Sequence, residues 1–355
     1  MTGPRPILAL TLGDPAGIGP EVTLKALLNE EAYRQCIPVV IGDGVSLALT
    51  SKMLAVPLRL REIPSPEAAE GKAGTVEYIS PHLLREGGWE MGRVQRDTGE
   101  AAFQYIVMGI GLAMAGRVQG VVTAPIHKEA INLAGHPYAG HTEIFSEYTG
   151  TKAYAMLLAS PSLRVIHVTT HLSMRDACDA ITGQRVLKTI RLAHFCMKLM
   201  GLGGKIGVAG LNAHCSENGL FGSEERDAIR PAIEKAREMG IGVEGPIPPD
   251  TVFVKAMAGQ YDIVVAMYHD QGHIPVKLSG FVMDPVTGQF SSVRGVNCTV
   301  GLPIIRTSVD HGTAFDRAGR NVSREDSMLD ALFMAARMSG QMGLIREIHR
   351  MGLAE

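Results

Sequence analysis

The chain has 355 residues, of which 46% are hydrophobic and 20% charged, with 41 glycines and 19 prolines. That length and composition exclude the disordered and fibrous classes and leave room for two domains or one large α/β unit. Lys and Arg number 34 against 36 Asp and Glu, a net charge of −2 with neither sign gathered in a block, so nucleic acid is not an expected partner.

In chain order, strand-like apolar runs fall at Ile7–Leu12, Val39–Ile41, Gly120–Thr123, Val165–Thr170, Ile206–Ala209 and Ile263–Met267. Helical patterns fall at Glu21–Leu28, Glu100–Ala115, Val186–Met200, Ser223–Met239 and Arg324–Met338. Strands alternating with helices in this way predict an α/β fold on a largely parallel sheet. Apolar stretches such as Ile106–Ala115 stop after about ten residues, short of the roughly 20 that a spanning helix needs, so no membrane segment is expected. The lead MTGPRPILALTLGDP lacks the pattern of a cleavable leader, and Cys36, Cys178, Cys196, Cys215 and Cys298 form no CxxC pair. A cytoplasmic protein without disulfides is the expectation.

The turn after the first strand, Gly13-Asp14-Pro15-Ala16-Gly17-Ile18-Gly19-Pro20-Glu21, does not space its glycines as GxGxxG, and no GxxxxGK[ST] occurs. Neither a standard Rossmann site nor a P-loop is supported. The turn reads equally as a tight strand-to-helix connection or as the wall of a cleft.

Three histidines close strand-like runs: VIHVTTH ends at His171, IGVAGLNAH at His214 and IVVAMYH at His269. Ligand crevices of open parallel sheets lie beyond the carboxyl ends of the strands, so these imidazoles are candidates to converge on a divalent metal. Taken singly, a histidine there is an ordinary polar loop residue. His167, on its strand, reads as a packing residue. Gly140-His141-Thr142-Glu143 sets an imidazole and a hydroxyl after a glycine, and Lys277 and Arg306 read as isolated cations beside apolar strands, suited to a carboxylate or phosphate. Asp310-His311-Gly312-Thr313-Ala314-Phe315-Asp316 reads as a loop whose backbone donors can frame a planar or anionic ligand.

Together, GDPAGIGPE from Gly13, TAPIHK from Thr123, GHTE from Gly140, VTTH ending at His171, LNAH ending at His214, GLFGSEE from Gly219, AMYHDQG from Ala266 and GLPIIRTSVDHGTA from Gly301 resemble the 4-hydroxythreonine-4-phosphate dehydrogenase family of pyridoxal phosphate biosynthesis. The likeness runs from Leu10 to about Gly319. It implies a two-domain isocitrate/isopropylmalate dehydrogenase-like fold with the active-site cleft between domains, here 1–125 plus 271–355 and 126–270. It also implies a homodimer whose metal site is shared between subunits. By the same resemblance His171, His214 and His269 hold a divalent metal (Zn, Co, Mg or Mn), and His141, Thr142, Lys277, Asn297 and Arg306 bind a small phosphorylated substrate. The loop with His311, Gly312, Thr313, Ala314 and Asp316 binds NAD or NADP. Lys277 and Asp270 are candidates for proton handling, Asp270 alternatively for orienting His269. The implied reaction is oxidation of a 4-phosphorylated 3-hydroxy acid followed by decarboxylation.

Three departures bear on the substrate. Asn212-Ala213-His214-Cys215-Ser216-Glu217 replaces the family's Asn-Pro-His-Ala-Gly-Glu, His273 stands where the pyridoxine branch is expected to carry Leu, and a stretch near Met283–Val293 reads as an inserted turn between strands. They favour the branch acting on 4-phospho-threonate or 4-phospho-erythronate. The GHTE segment argues against the related dihydrodiol carboxylate dehydrogenases. A metal-dependent hydrolase is the rival from another class, but it has no use for the DHGTAFDRAG loop.

Overall fold

The computed structural model describes residues 4–56, 58–288 and 290–345. Aliphatic and β-branched runs form strands whose residues are buried along nearly their full length, as a sheet covered by helices on both faces requires. Gly120–Thr123 and Ile206–Ala209 are strands with the expected bounds; the other four expected strands are present within a few residues.

The chain divides into two units, the first made of residues up to Lys152 with Leu302–Ile345, the second of Ala153–Gly301. In the first, β3 (Arg59–Glu62), β4 (Thr75–Ile79), β2 (Ile37–Ile41), β1 (Ile7–Thr11), β5 (Gly120–Thr123) and β14 (Arg306–Val309) lie side by side in that order, all parallel. Leu8, Leu10, Val39, Val121 and Val122 are fully enclosed at its centre.

In the second unit the order is β13 (Val296–Val300), β6 (Ala155–Ala159), β7 (Arg164–His167), β10 (Ile263–Ala266), β8 (Ile206–Ala209) and β9 (Val243–Ile247). Here β6 is antiparallel to both its neighbours and the remaining pairs are parallel. A separate antiparallel hairpin joins β11 (Phe281–Met283) to β12 (Phe290–Val293), at the position of the expected insertion. Its turn is closed by Asp284, whose Oδ1 accepts from the Val286 and Thr287 amides at 2.8 and 3.3 Å.

The division falls at 152/153 and 301/302, where the sequence reading expects 125/126 and 270/271. Two packing facts place it there. A side chain at Gly99, in the helix Arg96–Met114, would lie 2.1 Å from the Ala130 carbonyl, so the helix Lys128–Leu133 is packed backbone to backbone against the first unit. At the other end β13 pairs with β6 over five residues, which keeps the segment after His269 with the second unit.

The expected helix Ser223–Met239 is present, opening with a π-helical turn, Glu225–Ile229, that runs into the α-helix Arg230–Glu238. Pro231 has no N–H to return to Asp227, so the α-helical ladder cannot run through this point. Among the described residues no helix is long and apolar enough to cross a membrane, and the five cysteines are free.

His167 is 2% exposed on β7, and its Nδ1 donates to the Met156 carbonyl at 3.2 Å. Burial, reinforced by neighbouring His273, pushes its imidazole down to about 3, so the folded protein holds it neutral. Between that value and the ordinary pKa of about 6.5 the unfolded chain binds a proton that the native one does not. Stability from this group is therefore complete above about pH 6.5 and is lost on acidification at about 1.4 kcal/mol per pH unit. Urea unfolding of His167→Gln, compared with wild type between pH 4 and 7, is expected to show a shallower loss by that slope.

Candidate active site

In the second unit, β7 and β10 stay zipped beyond their ends. The Val168 amide donates to the Ala266 carbonyl at 2.8 Å, and the Thr169 amide and hydroxyl both donate to the Met267 carbonyl, at 3.1 and 2.8 Å. This register carries His171 and His269 to one place, with ring centroids 5.8 Å apart. His171 takes a left-handed backbone, φ 49°, the kind of strain that persists where the surrounding structure enforces it. Both imidazoles line a cavity of about 250 Å³ with Thr169, Thr170, Tyr268 and Asp270.

His269 is the first residue of the helix His269–Gly280, and its Nδ1 donates to Asp270 Oδ1 at 2.6 Å. That bond places the ring so that Nε2 is turned away from the carboxylate, the arrangement of a metal-binding histidine backed by a carboxylate. Asp270 is thus placed to orient His269. His273, one helical turn on, stacks on His269 with centroids 3.6 Å apart and rings within 15°, while burial lowers its imidazole to about 4.

His214 lies past the end of β8 in the turn Ala213–Gly219, exposed, with His214, Cys215, Ser216, Glu217 and Asn218 all at positive φ. Among the described residues no three His, Cys, Asp or Glu side chains gather closely enough to hold a metal ion, so this chain brings together His171 and His269 but not the full trio. Glu225 holds the start of the turn. Its Oε1 accepts from the Leu211 and Asn212 amides at 2.7 Å each, and its Oε2 accepts from Asn212 Nδ2 at 2.9 Å and from the Ser216 hydroxyl. Burial pulls the Glu225 carboxyl upward, but these donors outweigh it and leave it below its usual range. Glu225→Ala would strand several enclosed donors, each worth about 1–3 kcal/mol, so thermal unfolding is expected to show a loss of about 3 kcal/mol. Gln271, buried, ties the strand ends: its Oε1 accepts from the Met267 amide at 2.6 Å and its Nε2 donates to the Gly210 carbonyl at 2.8 Å. Sequence reasoning gave neither residue a part in the site, although both lie inside the motifs GLFGSEE and AMYHDQG.

Lys277 does not flank a strand as expected. It sits in the last turn of the helix His269–Gly280, exposed, with Nζ 5.4 Å from the centre of the Phe281 ring. Asn297 lies on β13, opposite Leu158 of β6.

The first unit gathers a different set. Arg306 opens β14 at 3% exposure, donating from Nη2 to Thr123 Oγ1 at 3.0 Å, with its guanidinium 5.6 Å from the centre of the Phe145 ring. Phe145 belongs to the helix His141–Tyr148, whose first turn carries His141 and Thr142. Burial holds His141 well below the usual histidine pKa and the Arg306 charge adds to this, so the imidazole is neutral. Its Nε2 is enclosed and finds no partner among the described residues. A buried cation beside an orphaned imidazole nitrogen suits an anionic ligand with its own donors and acceptors.

In the same unit the glycine-rich turn after β1 supports the loop from Asp310. The Ile18 amide donates to the Thr313 carbonyl at 3.0 Å, and a Cβ on Gly17 would lie 2.9 Å from that oxygen. The turn is thus packed, backbone to backbone, against the loop from Asp310. Ala314 is at φ 41°, the Phe315 ring stacks on His127 at 4.6 Å, and the Asp310 amide donates to Ser327 Oγ at 3.1 Å. His311 Nδ1 donates to the Gly312 carbonyl at 3.0 Å, leaving Nε2 enclosed and without a partner among the described residues. Gly312 and Asp316 are exposed on the same loop, and Thr313 is buried.

The family model described as pyridoxal phosphate biosynthetic protein PdxA matches residues 34–335. The D-threonate 4-phosphate dehydrogenase of Cupriavidus necator is 45% identical over 336 residues, covering 94% of this chain and 97% of that protein. The enzyme of the same name from Salmonella typhimurium is 44% identical over 334 residues, covering 94% and 98%. A crystal structure of a 4-hydroxythreonine-4-phosphate dehydrogenase from Burkholderia phymatum superposes with a TM-score of 0.82 at 42% identity, covering 95% of this chain and 99% of that one. With the α/β fold, the strand-end histidines and matches of this extent in agreement, the chain belongs to the pyridoxal phosphate biosynthetic protein PdxA family.

Proposed function

We propose that this protein is an NAD-dependent, divalent-metal-dependent dehydrogenase that oxidises a 4-phosphorylated 3-hydroxy four-carbon acid, 4-phospho-threonate or 4-phospho-erythronate before 4-hydroxythreonine-4-phosphate, and releases its carboxylate as carbon dioxide. The observation that carries the reading is the paired His171 and His269, the latter backed by Asp270, in a chain whose relatives at 44–45% identity are named D-threonate 4-phosphate dehydrogenases. The isocitrate/isopropylmalate dehydrogenase-like class of the α/β fold is part of the same proposal.

The donor set fits a divalent cation. Imidazole nitrogens suit zinc or cobalt, and a histidine whose Nδ1 is fixed by a carboxylate presents Nε2 as a ligand. His171, His269 and His214 would hold it, and the pairing of only two of them within one chain supports completion by a second copy in a homodimer. When bound, the cation would supply Lewis acidity at the hydroxyl being oxidised, and the dinucleotide, its adenosine end held by the loop with His311, Gly312, Thr313, Ala314 and Asp316, would supply the hydride acceptor.

The chain's own residues do the rest. Arg306, neutral His141 and Thr142 hold the phosphate and fix the position of the carbinol carbon. Asn297 and Lys277 bind the acid end, and Lys277 carries the proton released from the hydroxyl. Oxidation of that hydroxyl gives a β-keto acid; its C–C bond to the carboxylate then breaks, and the protonated product is a phosphorylated three-carbon ketone.

The test is NADH formation by the purified protein with a divalent metal, comparing 4-phospho-threonate, 4-phospho-erythronate and 4-hydroxythreonine-4-phosphate at equal concentration. A higher kcat/KM on a phospho-sugar acid is the expected result. Preference for the amino acid would move the enzyme to the pyridoxine branch, and silence on all three would overturn the reading.

A further inference from the structure

We propose that His273 is the positioning residue of the candidate cation site, holding the plane of the His269 imidazole so that Nε2 meets the ion at a fixed angle. The inference rests on the reading of His269 as a metal ligand. A ligating imidazole must point an in-plane lone pair at the cation, so two rotations need fixing: the direction of the lone pair within the ring plane, and the tilt of that plane. Asp270 fixes the first, through the 2.6 Å bond to Nδ1. His273 fixes the second.

The two rings lie 3.6 Å apart between centroids and within 15° of parallel, a face-to-face stack that covers one side of His269. Their spacing of four along the helix His269–Gly280 puts both on one face, and His273 Nδ1 donates to the His269 carbonyl at 3.0 Å, which sets its own ring in turn. His273 also meets His167, with centroids 4.7 Å apart and ring planes at 45°. His167 is core: it lies on β7, and a Cβ on Gly272 would be 2.2 Å from its Nε2, so the helix backbone is seated directly on that ring. The order of rings is therefore buried strand residue, spacer, ligand. A flat side chain at 273 transmits the fixed position of β7 to His269, whereas a branched aliphatic one offers no plane.

The experiment is titration of chelator-stripped, full-length protein with Co²⁺, followed by calorimetry and by the visible spectrum of the bound ion. His273→Leu and His273→Gln both remove the flat ring, and Gln keeps a donor; each is expected to weaken Co²⁺ binding about 10–100-fold and to alter the spectrum. His273→Phe keeps the flat face and is expected to stay within about threefold of wild type. Wild-type affinity in either the Leu or the Gln variant overturns the proposal, as does equal weakening in all three. His269→Ala separates the two readings: if it binds Co²⁺ as tightly as wild type, His269 is not a ligand, whereas its loss beside unaltered binding in His273→Leu sinks the positioning role alone.

Discussion

His269→Ala is expected to lower turnover about a thousandfold at saturating substrate while leaving the thermal midpoint of the protein close to wild type. The His269 side chain is 40% exposed, so its removal opens no buried cavity and strands no enclosed partner; Asp270, at 67% exposure, is solvated without it. The kinetic effect has a different origin. Lewis-acid stabilisation of charge developing on the oxidised oxygen is worth several kcal/mol, and each 1.36 kcal/mol is a factor of ten in rate. Asp270→Asn should fall between the two proteins, since it loosens an orienting bond instead of deleting a ligand. Steady-state NADH formation with the metal varied gives the readout, and near-normal turnover in the alanine variant would remove His269 from the ligand set.

Arg306→Met is expected to raise KM for the phosphorylated substrate about 100-fold. Arg306 is a charge held at 3% exposure, with Thr123 Oγ1 and the face of Phe145 among its neighbours. Loss of a buried cationic partner to an anion costs about 2–5 kcal/mol. Arg306→Lys keeps the charge but loses the planar fork, and its KM should lie between. A Met variant with unaltered KM would move the phosphate elsewhere.

The sequence carried the parallel α/β pattern and the strand-end position of His171 and His269 because buried parallel strands are short, continuous and aliphatic, a signal that survives without context. It was silent on what turns those strand ends into a site. The helix that starts at His269 reads HDQGHIPVKLSG, with glycine and proline inside, so local propensity argues against it and Lys277 was read beside a strand. Packing of Gly272 on His167 and the Gln271 bonds to Met267 and Gly210 supply what propensity lacks. The hairpin after this helix was legible, because Asp284-Pro285 and Thr287-Gly288 are turn chemistry. The left-handed run from His214 to Asn218 was not, since none of its five residues is glycine and its fixing donors converge on Glu225, outside the turn.

Strand β14 also governs the order in which this protein can be completed during synthesis. The edge of β5 that pairs with β14 has its partner about 185 residues downstream, as the register of Arg306 with Val121 and Thr307 with Val122 shows. Until the ribosome has delivered that strand, Gly120–Thr123 presents an open row of amides and carbonyls on a wholly buried, aliphatic strand. At roughly 5–20 residues per second the whole second unit must emerge first, an interval on the order of ten to thirty seconds. Nascent chains of this fold therefore pass through a stage in which a sticky sheet edge has no native mate, and the risk of pairing with another chain is concentrated there.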